Sequence, residues 1–109
     1  MDMRVDRKLL ETELHKIVKD LKKLGAKRIV LFGSLARGEP RVASDIDLLA
    51  IFDDQDCFKT RIQKIYAQIE AAVDFDILPY NKQEYERIRG RSLFRRIEKE
   101  GKVLYEADG

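Results

Sequence analysis

The sequence has one cysteine, Cys57, so it cannot close an internal disulfide, and the paired Cys/His spacing of a zinc site is absent. Cys57 is therefore expected to be a small buried or half-buried residue. No apolar run approaches the ~20 residues that a membrane-spanning helix requires. The stretch Met1–Lys8 has no apolar signal region. These absences predict a cytoplasmic protein with no membrane partner. There is no Walker-type G-x-x-x-x-G-K segment, internal repeat or low-complexity tract. An excess of one charge is lacking too: 22 Lys and Arg stand against 20 Asp and Glu, a net +2. That balance is too small to imply nucleic-acid binding by itself, so nucleic acid is expected only through a partner. What is present is 44% hydrophobic and 39% charged residues over 109 positions. This composition predicts one folded domain, residues 1–109, with a single core and a heavily charged surface.

The hydrophobic pattern divides the chain into alternating elements. Leu10, Leu14, Ile17, Leu21 and Leu24 recur at helical spacing, which predicts a helix from Asp6 to Leu24 with Gly25 just past its end. His15 lies in that helix without a partner motif and is expected to be an ordinary surface or boundary residue. Lys27–Phe32 reads as a buried strand and Asp45–Phe52 as a second. A helix is expected from about Asp56 to Ala72, with Phe58, Ile62, Ile65 and Ile69 as its core stripe. The acidic run Asp53-Asp54-Gln55-Asp56 is expected to cap it, where the helix dipole favours negative charge. Ala72–Leu78 reads as a third strand closed by Pro79. Asn81 and Glu84 read as an N-cap pair opening a helix through Ile88, and Gly90 breaks it. Ser92–Glu100 is a last helix with Leu93, Phe94 and Ile97 as its apolar face. Val103–Tyr105 reads as a short edge strand. From Lys82 to Lys102 eight basic residues face four acidic ones, which reads as a solvated helix face. The sum is an α+β fold: a mixed sheet of three or four strands with helices packed on it.

The chemistry concentrates where the first strand ends and the second begins. Gly33 stops the first strand, and Ser34 is a good N-cap for a short helical turn. Free N–H groups at such a turn, with no side chain on the glycine, favour an approaching phosphate. Arg37 adds a planar, permanently charged donor suited to phosphate oxygens. In Ser44-Asp45-Ile46-Asp47-Leu48, side chains alternate along the strand, so Asp45 and Asp47 share one face. Two carboxylates so close repel each other, and a divalent cation removes the conflict. Hard oxygen ligands favour Mg²⁺ or Mn²⁺. In the third strand, Asp74 and Asp76 share a face by the same parity.

Taken together, G-S-x-A-R-G followed after a loop by S-D-x-D-L resembles the signature of the minimal nucleotidyltransferases in the DNA polymerase β-like superfamily. The resemblance extends over nearly the whole chain, because its length, element order and the late Asp76 also fit. It implies a polymerase β-like fold and transfer of a nucleoside monophosphate, AMP from ATP, to a hydroxyl acceptor with release of pyrophosphate. It implies catalytic and metal-binding roles for Asp45, Asp47 and Asp76, with Asp74 as the competing third carboxylate, and two Mg²⁺ ions. It assigns nucleotide binding to Gly33, Ser34, Arg37 and Ser44. Minimal members resembling this one are often partnered by a small helical HEPN protein in toxin–antitoxin-like pairs, which makes such a protein the expected partner and acceptor. A non-catalytic nucleotide- and metal-binding module, or a structural subunit, is the alternative.

Overall fold

A computed structural model describes residues 7–36, apart from the side chain of Ser34, and residues 46–107. In chain order the elements are α1 (Arg7–Lys23), β1 (Ala26–Phe32), α2 (Gly33–Ala36), β2 (Ile46–Phe52), α3 (Phe58–Gln68), β3 (Phe75–Asn81), α4 (Lys82–Ile88), α5 (Ser92–Glu100) and β4 (Lys102–Glu106). The strands form one sheet in the order β3-β2-β1-β4. β1 runs antiparallel to both β2 and β4, and β2 runs parallel to β3. The fold is therefore α+β with a mixed four-stranded sheet, as the pattern predicts.

The two faces of the sheet divide the apolar residues by strand parity. On one face Ile29, Leu31, Ile46, Leu48, Ala50, Phe52 and Ile77 pack with Ile17 and Leu21 of α1 and Ile65 of α3. On the other, Val30, Leu49 and Ile51 pack with Tyr85 of α4 and with Phe94 and Ile97 of α5. Apart from Asp47, every residue of β2 is buried, as a central strand covered on both faces must be. Among the described residues no helix is long and apolar enough to cross a membrane.

Several local expectations change. α3 begins at Phe58 and ends at Gln68, since Ile69 is already extended, and Ala72, expected to be its last residue, donates its N–H to the Glu13 carboxylate. Within α3 the inward stripe is Arg61 and Ile65, while Phe58 is exposed. The acidic run does not cap α3: its cap position, Cys57, makes no side-chain cap bond. Asp54 instead pairs with Arg61 at 2.9 Å and Asp56 with Lys64 at 2.7 Å. Cys57 is exposed, its thiol bonded to Thr60 Oγ1 at 3.2 Å. Leu93 is 51% exposed, so the buried face of α5 is Phe94 and Ile97 alone.

The third strand runs through Pro79 to Asn81 rather than stopping before it. β3 is an edge strand, where a missing N–H costs no ladder bond if it faces outward. The Pro79 carbonyl does face outward, accepting from Arg61 Nη1 at 3.0 Å, and a residue's N and C=O lie on the same side of a strand. The Asn81–Glu84 cap forms as expected: the Glu84 N–H donates to Asn81 Oδ1 and the Asn81 N–H to Glu84 Oε1, both at 2.8 Å.

Candidate active site

The site lies where β1 turns into α2 and where β2 and β3 begin. Gly33 makes the turn with φ at +78°, a conformation that glycine adopts without the Cβ penalty. Leu35 and Ala36 then anchor α2 by packing on the core. The absent side chain has a second consequence. A Cβ on Gly33 would meet Asp47 Oδ2 well inside contact distance and Asp47 Cγ at 3.2 Å. The glycine thus leaves room for the Asp47 carboxylate to lie against the turn.

Asp47 is the second residue of β2. Its neighbour on β1 is Phe32, the residue before Gly33, and its neighbour on β3 is Asp76. Residues in register on adjacent parallel strands share a face, with strands about 4.8 Å apart. The two carboxylates therefore stand side by side on the face that α4 and α5 cover farther along the strands, Asp47 half-buried and Asp76 exposed. Asp74 precedes the strand, and its carbonyl accepts from the Ile46 N–H at 3.2 Å. Register therefore puts Asp76, not Asp74, opposite Asp47.

The sequence-predicted set is brought together in part. Gly33, Asp47 and Asp76 converge. Ser34 falls in the first turn of α2 rather than at its cap, because the helix starts at Gly33. Arg37, Ser44 and Asp45 lie outside the described residues. Asp47 and Asp76 are hard oxygen donors of the kind that Mg²⁺ or Mn²⁺ prefers, and their pairing fits such an ion. Among the described residues no group of three or more His, Cys, Asp or Glu side chains gathers into a metal site.

The strand carrying Asp76 is held from outside. The Ile77 N–H donates to the Tyr66 hydroxyl at 3.3 Å, and Tyr66 stacks on Phe75 at 5.3 Å between centroids. Arg61 reaches the Pro79 carbonyl, Asp54 and, at 2.7 Å, Glu84. Sequence reasoning passed over Arg61. Its signal was position: Arg61 and Ile65 fall at the spacing of the inward stripe, so a cation there had to find buried partners.

The model of the family described as polymerase beta, nucleotidyltransferase, matches residues 13–109. The chain belongs to that family. A candidate nucleotidyltransferase from Sulfolobus solfataricus, solved as a crystal structure at 1.40 Å, shares the fold. It superposes with a TM-score of 0.57 at 18% identity, covering 96% of this chain and 93% of that one. No curated protein matches the chain.

Proposed function

We propose that this nucleotidyltransferase-family domain moves AMP from ATP to a hydroxyl acceptor on a partner protein and releases pyrophosphate. The observation that carries the reading is the in-register pair Asp47 and Asp76 beside the Gly33 turn. Asp47, Asp76 and, from its place in the sequence, Asp45 would hold two Mg²⁺ ions, with Mn²⁺ as a substitute. When bound, the ions neutralise the phosphates and stabilise the charge that develops on the leaving pyrophosphate. The backbone at Gly33 and Ser34 binds the β- and γ-phosphates, with Arg37 and Ser44 assigned to the same phosphates on sequence. Asp76 takes the acceptor's hydroxyl proton onto a carboxylate oxygen. The acceptor oxygen then bonds the α-phosphorus as the bond to the bridging oxygen breaks. The partner in this reading is a small helical HEPN-type protein that supplies the hydroxyl, with this chain as its antitoxin-like subunit in the cytoplasm.

The test incubates the protein with labelled ATP, MgCl₂ and the product of its neighbouring gene, and locates label by mass. Transfer to a partner hydroxyl is expected. Asp47→Asn and Asp76→Asn should each reduce it more than about 100-fold, since losing only an outer-shell support of a metal ligand already costs 10–100-fold. Nucleotide and Mg²⁺ binding with no transfer to that partner would leave a binding module, and tight association indifferent to both variants would leave a structural subunit.

A further inference from the structure

The sheet has a second, unexplained surface at its β4 edge. A groove of about 610 Å³ runs between α1 and β4, lined by Leu14, His15, Val18, Lys19, Lys22, Lys23 and Leu104. That is within the range of pockets that enclose a ligand-sized group, about 300–1,000 Å³. Its apolar part has a structural origin. Ile29 pairs with Tyr105 but Val30 pairs with Val103, so Leu104 is the extra residue of a bulge. Bulges re-aim side chains, and here Leu104 joins Leu14 and Val18 at the groove while staying 37% exposed. Val103 beside it is 52% exposed.

The rim is positive. Lys19, Lys22 and Lys23 make no ion pair among the described residues, whereas Lys16, Lys64 and Lys82 do. Lys22 lies over the Tyr105 ring at 4.4 Å, which fastens the end of α1 to the strand. Three cations around the exposed Leu104 and the half-buried Leu14 and Val18 call for an occupant that is both apolar and acidic.

We propose that this groove docks an acidic amphipathic helix of a partner protein. Apolar anchors one helical turn apart would cover Leu14, Val18 and Leu104, and flanking Asp or Glu would meet the three lysines. Two other occupants fit less well. A second copy joined edge to edge through β4 would bring two lysine-lined grooves together, and like charges oppose that contact. An added strand would have to follow a ladder interrupted by the Leu104 bulge and bounded by Lys102 and Glu106, devices that discourage strand addition. The proposal stands apart from the catalytic reading, since it rests on α1 and β4 and not on Asp47 or Asp76.

The experiment measures fluorescence anisotropy of a labelled 18-residue helical peptide with leucines at three- and four-residue spacing and glutamates on the flanks. Binding in the micromolar range is expected, weakened about tenfold by Lys19→Glu with Lys22→Glu and about tenfold by Leu104→Asp, whose site is half-exposed and leaves the fold intact. Loss of binding in the leucine variant separates docking from bare charge attraction. Absence of binding at millimolar peptide overturns the proposal, as does equal binding of the same peptide with lysines for glutamates. A short single-stranded RNA bound equally by wild type and Leu104→Asp would make the rim a polyanion surface and overturn it. So would self-association in sedimentation that Leu104→Asp abolishes, which would give the groove to a second copy.

Discussion

The two edges of the sheet are built on opposite plans. The β3 edge is closed by α3: the Tyr66 hydroxyl takes the Ile77 N–H, the Arg61 guanidinium takes the Pro79 carbonyl, and the proline removes a donor. The β4 edge is left to solvent, with Val103 52% exposed and a bulge at Leu104. The difference follows what each strand carries. β3 holds Asp76 in register with Asp47, and a slip of one residue would send Asp76 to the other face. β4 carries none of the candidate catalytic residues and can serve as a surface. The closed edge should therefore be expensive to disturb and the open edge cheap.

The largest effect on stability is expected at Arg61. Its side chain is 2% exposed and bonds two carboxylates and two carbonyls across α3, β3 and α4. Removing one member of a buried pair costs about 3–5 kcal/mol. Asp54 and Glu84 keep 31% and 26% of their side-chain surface, so Arg61→Ala should fall at the lower end, about 3 kcal/mol by urea unfolding. A cost below about 1 kcal/mol would mean that the edge is not held by this residue.

The strand next to the open edge is tied differently, and its tie titrates. Arg28 on β1 bonds Glu98 of α5 at 2.6 and 2.8 Å and Glu106 of β4 at 3.2 Å, while the Tyr85 hydroxyl donates to Glu98. The Arg28 guanidinium holds the Glu98 carboxyl below its ordinary value of 4.5. The Ala72 amide, above all, does the same for Glu13. A carboxylate depressed in the folded state stabilises it above the ordinary value and loses that contribution as pH falls through the folded one. Thermal midpoints should therefore drop below about pH 4.5, and Glu98→Gln should flatten that acid limb only in part, because Glu13 remains. Burial, followed by the bond to Glu98, pushes the Tyr85 hydroxyl up. Its contribution is present below the ordinary tyrosine value and is lost as pH rises through the folded one, so Tyr85→Phe should blunt the alkaline loss.

The same contrast marks what the sequence made legible. Local signals were readable: the leucine period of α1, the Asn81–Glu84 box and the glycine after β1 each act within a few residues. Parity predicted that Asp45 and Asp47 share a face and that Asp74 and Asp76 do; Asp45 lies outside the described residues, and Asp74 precedes β3, which starts at Phe75. Parity alone did not say whether Asp74 or Asp76 meets Asp47, because that depends on the register of a parallel crossover through α3; the resemblance favoured Asp76, and the register pairs Asp76 with Asp47. Arg61 was missed for a similar reason: its partners Asp54 and Glu84 lie 7 and 23 residues away and meet only once β3 is in place. Cys57 was misplaced because a small apolar type says nothing about the cap position of a helix whose opening is fixed by ion pairs around it.

The smallest effects form a matched pair. Tyr66→Phe keeps the ring on Phe75 and deletes the hydroxyl that accepts the Ile77 N–H. The stranded donor sits at a part-buried edge, so about 1 kcal/mol is expected, together with faster amide exchange at Ile77. Leu104→Ser, at the open edge, removes a side chain already 37% in water and should change stability by less than about 0.5 kcal/mol. If Leu104→Ser proved the more costly of the two, the bulge would be a packing element of the core rather than a free surface, and the ranking of the edges would reverse.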